Sequence, residues 1–158
     1  MFSAKEILDI AIRLEKNGRR AYQAAIESCR HPQMASLLEW MVAEEDEHAR
    51  WFSDLRDRLA AEAANPIMEE MGREVFGDLL ERQTFSLQEV DLSAITDAAE
   101  LVARFIEFET DTILFYEMLT PFIQEDEPRR VLEKIIAEEN RHVEKLNEFL
   151  TTTAGAAV

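Results

Sequence analysis

The sequence predicts an all-α protein, a four-helix bundle built from two helical hairpins joined by a long crossover. Four long stretches place apolar residues alternately three and four positions apart, which is the spacing of one helix face. The 158 residues include only four glycines and four prolines, which disfavours a turn-rich β fold. Two of the three connections are a few residues long, and the third is much longer. The chain is also long enough for one domain with a substantial core.

Each predicted helix is bounded by local signals. The second helix follows "HPQ". Pro32 lies near its first turn, where proline is well tolerated. The short first and third connections make each neighbouring pair of helices an antiparallel hairpin. The predicted helices span residues 3–28, from the turn "HPQ" to about Ala64, from about Thr96 to Ile123, and from near Pro128 to about Leu150.

The long connection, about residues 65–95, is expected to carry the chain from one end of the bundle to the other. Within it, "PIMEEMGREVFGDLL" has helical spacing and predicts a short extra helix. We expect residues 1–150 to form a single domain and residues 151–158 to form a flexible tail.

The charge balance restricts the classes of partner. The chain has 17 basic and 33 acidic residues, a formal net charge of −16. Such a surface attracts cations and repels nucleic acid and anionic membranes. We therefore expect neither nucleic acid nor a membrane as a partner. The single cysteine, Cys29, excludes an internal disulfide. With no apolar run near membrane length and no signal-peptide layout at the start, we expect a cytoplasmic protein.

The two hairpins repeat each other in sequence. A shift of 94 residues places Glu109 on Glu15, since 109 − 15 = 94. A site on the resulting pseudo-two-fold axis would take the same ligands from each half. The same shift also pairs Tyr22 with Tyr116, Glu45 with Glu139, and His48 with His142.

Each predicted helix carries one glutamate in the middle of its apolar face: Glu15, Glu45, Glu109 and Glu139. Burying unpaired carboxylates costs on the order of several kcal/mol for each ion. Two divalent cations would neutralise them. His48 and His142 each follow a glutamate by three positions and so share its helix face. Paired Glu-x-x-His motifs with two further glutamates are typical of di-iron and di-manganese bundles. The acidic neighbours Glu44, Asp46, Glu47 and Glu138 are predicted to form a solvated face.

With these residues, the chain resembles the ferritin-like superfamily, most closely the di-iron domain of rubrerythrins. The likeness rests on Glu15 followed by Tyr22, "AEEDEH" at 43–48, Glu109 followed by Tyr116, and "AEENRH" at 137–142. The resemblance implies two Fe ions. Carboxylate and imidazole donors without thiolate favour Fe or Mn, and Zn is a further possible substitute. The resemblance also implies a role for each of the six ligands: Glu15 and Glu109 terminal, Glu45 and Glu139 bridging, His48 and His142 capping.

Two departures from rubrerythrins stand out. A further glutamate is usual one turn after the ligand of the third helix, but Thr112 stands there, and Gly18 stands at the matching position of the first helix. The ligand set is therefore symmetric, as in bacterioferritin, which puts rubrerythrin-type ligand exchange in doubt. One cysteine cannot form a rubredoxin site, so we expect an external electron donor protein or ferrous iron to supply electrons.

Two questions stay open at the level of sequence. Tyr22 and Tyr116 are either core residues with satisfied hydroxyls, or second-shell partners of a ligand or a one-electron relay. Gly18 is either a close-packing point, for example under Trp40 or Trp51, or an opening for the oxidant.

The preferred functional hypothesis is a non-haem di-iron oxidoreductase that reduces hydrogen peroxide or dioxygen, with a role in oxidative stress. The alternative is an iron-binding or iron-storage protein with ferroxidase activity, and a third is a bundle with a vestigial site. We expect a homodimer or a larger homo-oligomer.

Overall fold

The computed structural model describes residues 4–61, 97–123 and 126–154, and this part of the chain is an all-α four-helix bundle, as predicted. Within these ranges there is no β-strand. The predicted crossover at about 65–95, with its short extra helix, lies outside the described residues. The four helices are α1 (Ala4–Ser28), α2 (Pro32–Ala61), α3 (Ala98–Leu119) and α4 (Asp126–Ala154).

Local chemistry explains several helix ends. Pro32 is the first residue of α2, where a missing N–H costs little. Asp97 caps α3, and its side chain accepts a hydrogen bond of 2.8 Å from the backbone N–H of Ala99. After α3, one 3-10 turn at Thr120–Phe122 leads toward α4. The two short connections place α1 against α2 and α3 against α4, as the hairpin prediction requires.

The last helix is longer than the sequence predicts. The expected flexible tail began at residue 151, whereas α4 continues to Ala154. The hydroxyls of Thr151 and Thr152 bond back to the carbonyls of Asn147 and Glu148 at 2.7 and 2.6 Å. Such bonds to the carbonyl four residues earlier satisfy the hydroxyl of a threonine inside a helix.

Two hydrophobic clusters fill the bundle, one on each side of a polar layer. Along α1, for example, Leu14 belongs to the first cluster and Ala21 to the second, with Glu15 in the layer near their boundary. The two clusters keep water from both ends of the layer. The first includes Leu8, Phe52, Leu55, Phe115, Leu132 and Ile135, and the second includes Met34, Leu38, Met41, Val102, Phe105 and Leu146.

Candidate metal centre

The polar layer contains every residue that the sequence nominated as a metal ligand. Each of these residues is at most 2% exposed, although carboxylates and imidazoles are rarely buried without partners. One further polar side chain in the layer, Thr112, was not nominated and is equally buried. The six nominated residues are Glu15, Glu45, His48, Glu109, Glu139 and His142.

The six residues form two groups that share one member. Glu15, His48 and Glu139 each offer an atom within 4.8 Å of the others. A second group consists of Glu45, Glu109, Glu139 and His142, with atoms equally close. Glu139 therefore lies between two neighbouring positions, each surrounded by nitrogen and oxygen atoms. The layer is suited to a pair of cations with Glu139 between them, whereas Glu45 lies in only one group.

The Nδ1 atoms of the two histidines are close to carboxylates of the layer without being hydrogen-bonded to them. Nδ1 of His48 lies 2.8 Å from Glu139 and 3.4 Å from Glu15. Nδ1 of His142 lies 2.9 Å from Glu139, 3.5 Å from Glu109 and 3.7 Å from Glu45. Neither nitrogen, and neither oxygen of Glu139, has a hydrogen-bond partner among the described residues. The contacts of 2.8 and 2.9 Å with Glu139 are short enough for hydrogen bonds, so it is their angles that are unsuitable. Nitrogen and oxygen atoms that lie close together without hydrogen bonds between them are suited to binding a shared cation.

The carboxyl groups of the layer have strongly shifted pKa values. Burial raises the pKa of Glu45 well above its ordinary value, and the charges of Glu15 and Glu139 raise it further. Burial also raises the pKa of Glu109, to about 8, with Glu139 adding to the shift and His142 opposing it. In the absence of cations, Glu109 therefore retains its proton at neutral pH.

The histidines have shifted pKa values because they face carboxylates. Burial lowers the pKa of His48, but Glu139 and Glu15 outweigh burial and raise it to about 11. For His142, the same competition between burial and the carboxylates of Glu109 and Glu139 gives a pKa of about 10. Against the effect of burial, the two histidines lower the pKa of Glu139. In the cation-free layer, imidazolium groups therefore take the place of metal charge.

The two tyrosines bond across the bundle in a reciprocal pattern. The hydroxyl of Tyr22 on α1 donates to Glu109 on α3, and that of Tyr116 on α3 donates to Glu15 on α1. Burial raises the pKa of both tyrosines, so the hydroxyls stay protonated donors. Both rings also pack in the core, for example Tyr22 against Phe105 at 4.7 Å. The tyrosines are thus core residues whose hydroxyls orient two nominated ligands.

The outer side of His48 is held by an acid that the sequence analysis placed on the solvated face. Nε2 of His48 lies 3.1 Å from Glu138, whose side chain is 13% exposed. The prediction for Glu138 was therefore wrong, because this part of α4 turns toward α2. Lys134 and Arg141 each lie 3.4 Å from the same carboxylate and balance its charge.

His142 has a different environment on its outer side. Its Nε2 is buried and has no hydrogen-bond partner among the described residues. The ring of Trp40 packs edge-on against it at 4.9 Å, and Lys145 lies 4.9 Å from the centre of Trp40. The shift of 94 residues pairs Trp40 with Lys134. This difference between the two hairpins is visible in the sequence and could have indicated that the two histidines have different surroundings.

Gly18 is a close-packing point. A Cβ atom at this position would lie 2.8 Å from Phe108 and 2.9 Å from Oε2 of Glu45. The glycine therefore makes room for a ligand carboxylate and a core ring, rather than for the tryptophans suggested by the sequence.

Comparison with known proteins identifies the family. The family model named Rubrerythrin matches residues 6–150 of the chain. The chain belongs to the rubrerythrin family. This confirms the resemblance drawn from the glutamate, histidine and tyrosine spacing. No curated protein is significantly similar to this rubrerythrin-family chain in sequence.

A solved structure supports the fold. The rubrerythrin-family chain is similar to a crystal structure from Thermotoga maritima of a protein classed as ferritin-like diiron-carboxylate. The TM-score is 0.71 at 20% sequence identity, covering 96% of this chain and 97% of the other. The ferritin-like bundle is thereby confirmed. Among the described helices, none is long and apolar enough to cross a membrane.

Proposed function

We propose that this protein binds two iron ions in the polar layer and reduces hydrogen peroxide or dioxygen there. The observation that carries the proposal is the convergence of buried, unpartnered nitrogen and oxygen atoms on two adjacent positions. Membership of the rubrerythrin family supports it. The proposed ligands are Glu15, Glu45, His48, Glu109, Glu139 and His142.

The charges and donor types fit a pair of divalent cations. Four carboxylates carry −4 when ionised, two divalent cations carry +4, and each histidine adds a neutral nitrogen. Carboxylate and imidazole donors without thiolate favour iron or manganese, and zinc also tolerates them. Bound iron would supply the electrons for reducing the oxidant.

The surrounding residues prepare the layer for this role. A bound cation requires neutral His48; Glu138 then accepts a hydrogen bond from its Nε2–H, which leaves the lone pair on Nδ1 facing inward. Tyr22 and Tyr116 each hold one oxygen of Glu109 and Glu15, so the other oxygen can face a cation. The two hydrophobic clusters exclude bulk water, which strengthens the electrostatic attraction in the layer.

Anaerobic titration with Fe(II) tests the proposal. We expect two irons per chain, followed by faster oxidation with hydrogen peroxide than with dioxygen, observed as near-ultraviolet absorbance. Failure to bind iron stoichiometrically would refute the proposal. Equal rates with the two oxidants would refute the preference for peroxide.

Two variants of α4 sharpen the test. Glu139→Ala removes the carboxylate shared by both groups and should abolish binding of at least one iron. Glu144→Ala removes an exposed carboxylate from the same helix and should leave the stoichiometry at two. A normal titration of Glu139→Ala would contradict the assignment of Glu139.

The high negative charge favours a second candidate function, iron uptake and storage with ferroxidase activity. A net charge of −16 attracts cations, and half-buried Glu44 and Glu138 lie beside His48 on the way to the surface. The size of the assembly distinguishes the two functions. A hollow cage of many chains supports storage, whereas a dimer supports the redox enzyme. Sedimentation of the iron-loaded protein measures this directly.

A further inference from the structure

Among the polar and charged residues that the structure describes as buried, Thr112 is the one that the proposed ligand set does not use. Its side chain is 2% exposed, and its Oγ1 has no hydrogen-bond partner among the described residues. Burying a hydroxyl without a partner is unfavourable. A buried hydroxyl without a hydrogen-bond partner indicates that a bound ligand supplies the missing hydrogen bond.

Other threonines of the bundle make a hydrogen bond to the backbone that Thr112 does not make. The hydroxyl of Thr110 donates to the carbonyl of Ile106 at 2.7 Å, and that of Thr120 to Tyr116 at 3.1 Å. Such bonds to the carbonyl four residues earlier are the usual way for a helical threonine to satisfy its hydroxyl. Thr112 makes no such bond, so its hydroxyl remains available to the interior of the layer.

The position of Thr112 on α3 directs it toward the metal centre. It follows Glu109 by three residues and precedes Tyr116 by four, so the three share one helix face. Glu109 lies 3.5 Å from His142, and Tyr116 bonds to Glu15, so this face borders the proposed ion pair. The matching residue of the other hairpin is Gly18, beside which Glu45 and Phe108 fill the space. Only the second hairpin therefore contributes a hydroxyl group at this position of the repeat.

We propose that Thr112 is a positioning residue that hydrogen-bonds the small oxidant, of the hydrogen peroxide class, when it enters the metal centre. The proposal rests on the proposed function, because it requires a ligand beside bound iron. A threonine hydroxyl both donates and accepts. Hydrogen peroxide can use both capacities, whereas dioxygen can only accept. Thr112 thus favours peroxide over dioxygen.

Azide binding to the iron-loaded, oxidised protein tests this inference without turnover. Azide is a small anion that would accept a hydrogen bond from Thr112. Thr112→Val keeps the shape but removes the hydroxyl, and it should weaken azide binding about ten- to a hundredfold, the usual effect of losing one hydrogen bond to a charged group. Thr112→Ser restores the hydroxyl and should bind azide within about threefold of the native protein. Thr110→Val is the matched control on α3 and should bind azide normally.

The peroxide reaction gives a second readout. In Thr112→Val, the KM for hydrogen peroxide should rise, while the rate of oxidation by dioxygen changes little. Iron stoichiometry and the melting temperature of the metal-free protein are measured for every variant. If the native protein binds no iron, the proposed function itself fails. If Thr112→Val binds two irons and azide as the native protein does, only the role of Thr112 is refuted. Loss of iron from Thr112→Val would refute it as well, since the residue would then serve metal binding.

Discussion

At the scale of single residues, the two tyrosine hydroxyls connect the hairpins at the point where the carboxylates meet. Each belongs to one hairpin and donates to a glutamate of the other. Glu15 and Glu109 are fully buried, so each tyrosine satisfies an oxygen that has no access to water. The bonds therefore contribute to stability as well as to ligand orientation.

Tyr22→Phe and Tyr116→Phe should each lower the free energy of unfolding of the metal-free protein by about 1–3 kcal/mol, because a buried acceptor loses its donor. Urea denaturation measures this. Thr110→Val, which removes an exposed hydroxyl from α3, should change stability by less than about 0.5 kcal/mol. Stability unchanged by both tyrosine substitutions would show that the two bonds contribute nothing.

Glu138 should affect one metal position more than the other, because it contacts His48 and not His142. We expect Glu138→Gln to weaken metal binding about 10- to 100-fold at the position near His48. Calorimetric titration with Zn(II), fitted to two sites, measures the two affinities separately. Glu144→Gln makes the same charge change on an exposed part of α4 and serves as the control. Equal weakening at both positions would contradict the asymmetry.

At the scale of helices, α1 approaches α3 closely at Gly18. Glycine inside a helix normally costs roughly 1 kcal/mol relative to alanine, so Gly→Ala would ordinarily stabilise the protein. Here the added Cβ meets Phe108 at 2.8 Å and Glu45 at 2.9 Å. Phe108 is 1% exposed, so its ring is surrounded by other core atoms.

Gly18→Ala should therefore destabilise the protein by about 1–3 kcal/mol, since overpacking exceeds the gain in helix propensity. Thermal denaturation gives the sign directly. The substitution should also displace Glu45 and weaken metal binding in a Zn(II) titration. A stabilised variant with normal affinity would show that α1 and α3 can move apart at no cost.

Helix positions and the inward faces were predictable because apolar spacing repeats with the helix. Glu15, Glu45, Glu109 and Glu139 interrupt that spacing and were found for this reason. Glu138 was missed because it lies off the apolar face, and its contact with His48 depends on how α4 packs on α2. Thr112 was noticed only as a departure from the family, since a missing hydrogen bond is invisible in sequence.

At the scale of the whole molecule, metal binding should be coupled to pH. In the metal-free protein, the pKa values of His48, His142 and Glu109 are raised to about 11, 10 and 8. A raised pKa contributes stability below the ordinary value of the group and loses it as pH rises through the shifted value. The stability that these groups give the metal-free protein therefore falls as pH rises, from about 4.5 to 8 for Glu109 and from about 6.5 to 10 or 11 for the two histidines.

Cations need the deprotonated ligands, so they act in the opposite direction. We expect the increase in Tm caused by Zn(II) to grow between about pH 5.5 and 8, because these pKa values lie at and above that range. Binding at pH 7 should release protons, which calorimetry in buffers of different ionisation enthalpy detects. Glu139→Ala, as a control, should show a smaller increase in Tm. A metal effect independent of pH would mean that the layer is already deprotonated.

By itself, the sequence determined the helices, the repeat of 94 residues and the six inward side chains, because periodicity decides which face of a helix is buried. Only the tertiary structure decided how the hairpins meet. That contact places Tyr22 on Glu109 and Tyr116 on Glu15, Glu138 behind His48, and Trp40 behind His142. The reason is physical: a symmetric sequence pattern specifies which residues face inward, whereas side chains from different helices acquire their partners only when the helices pack.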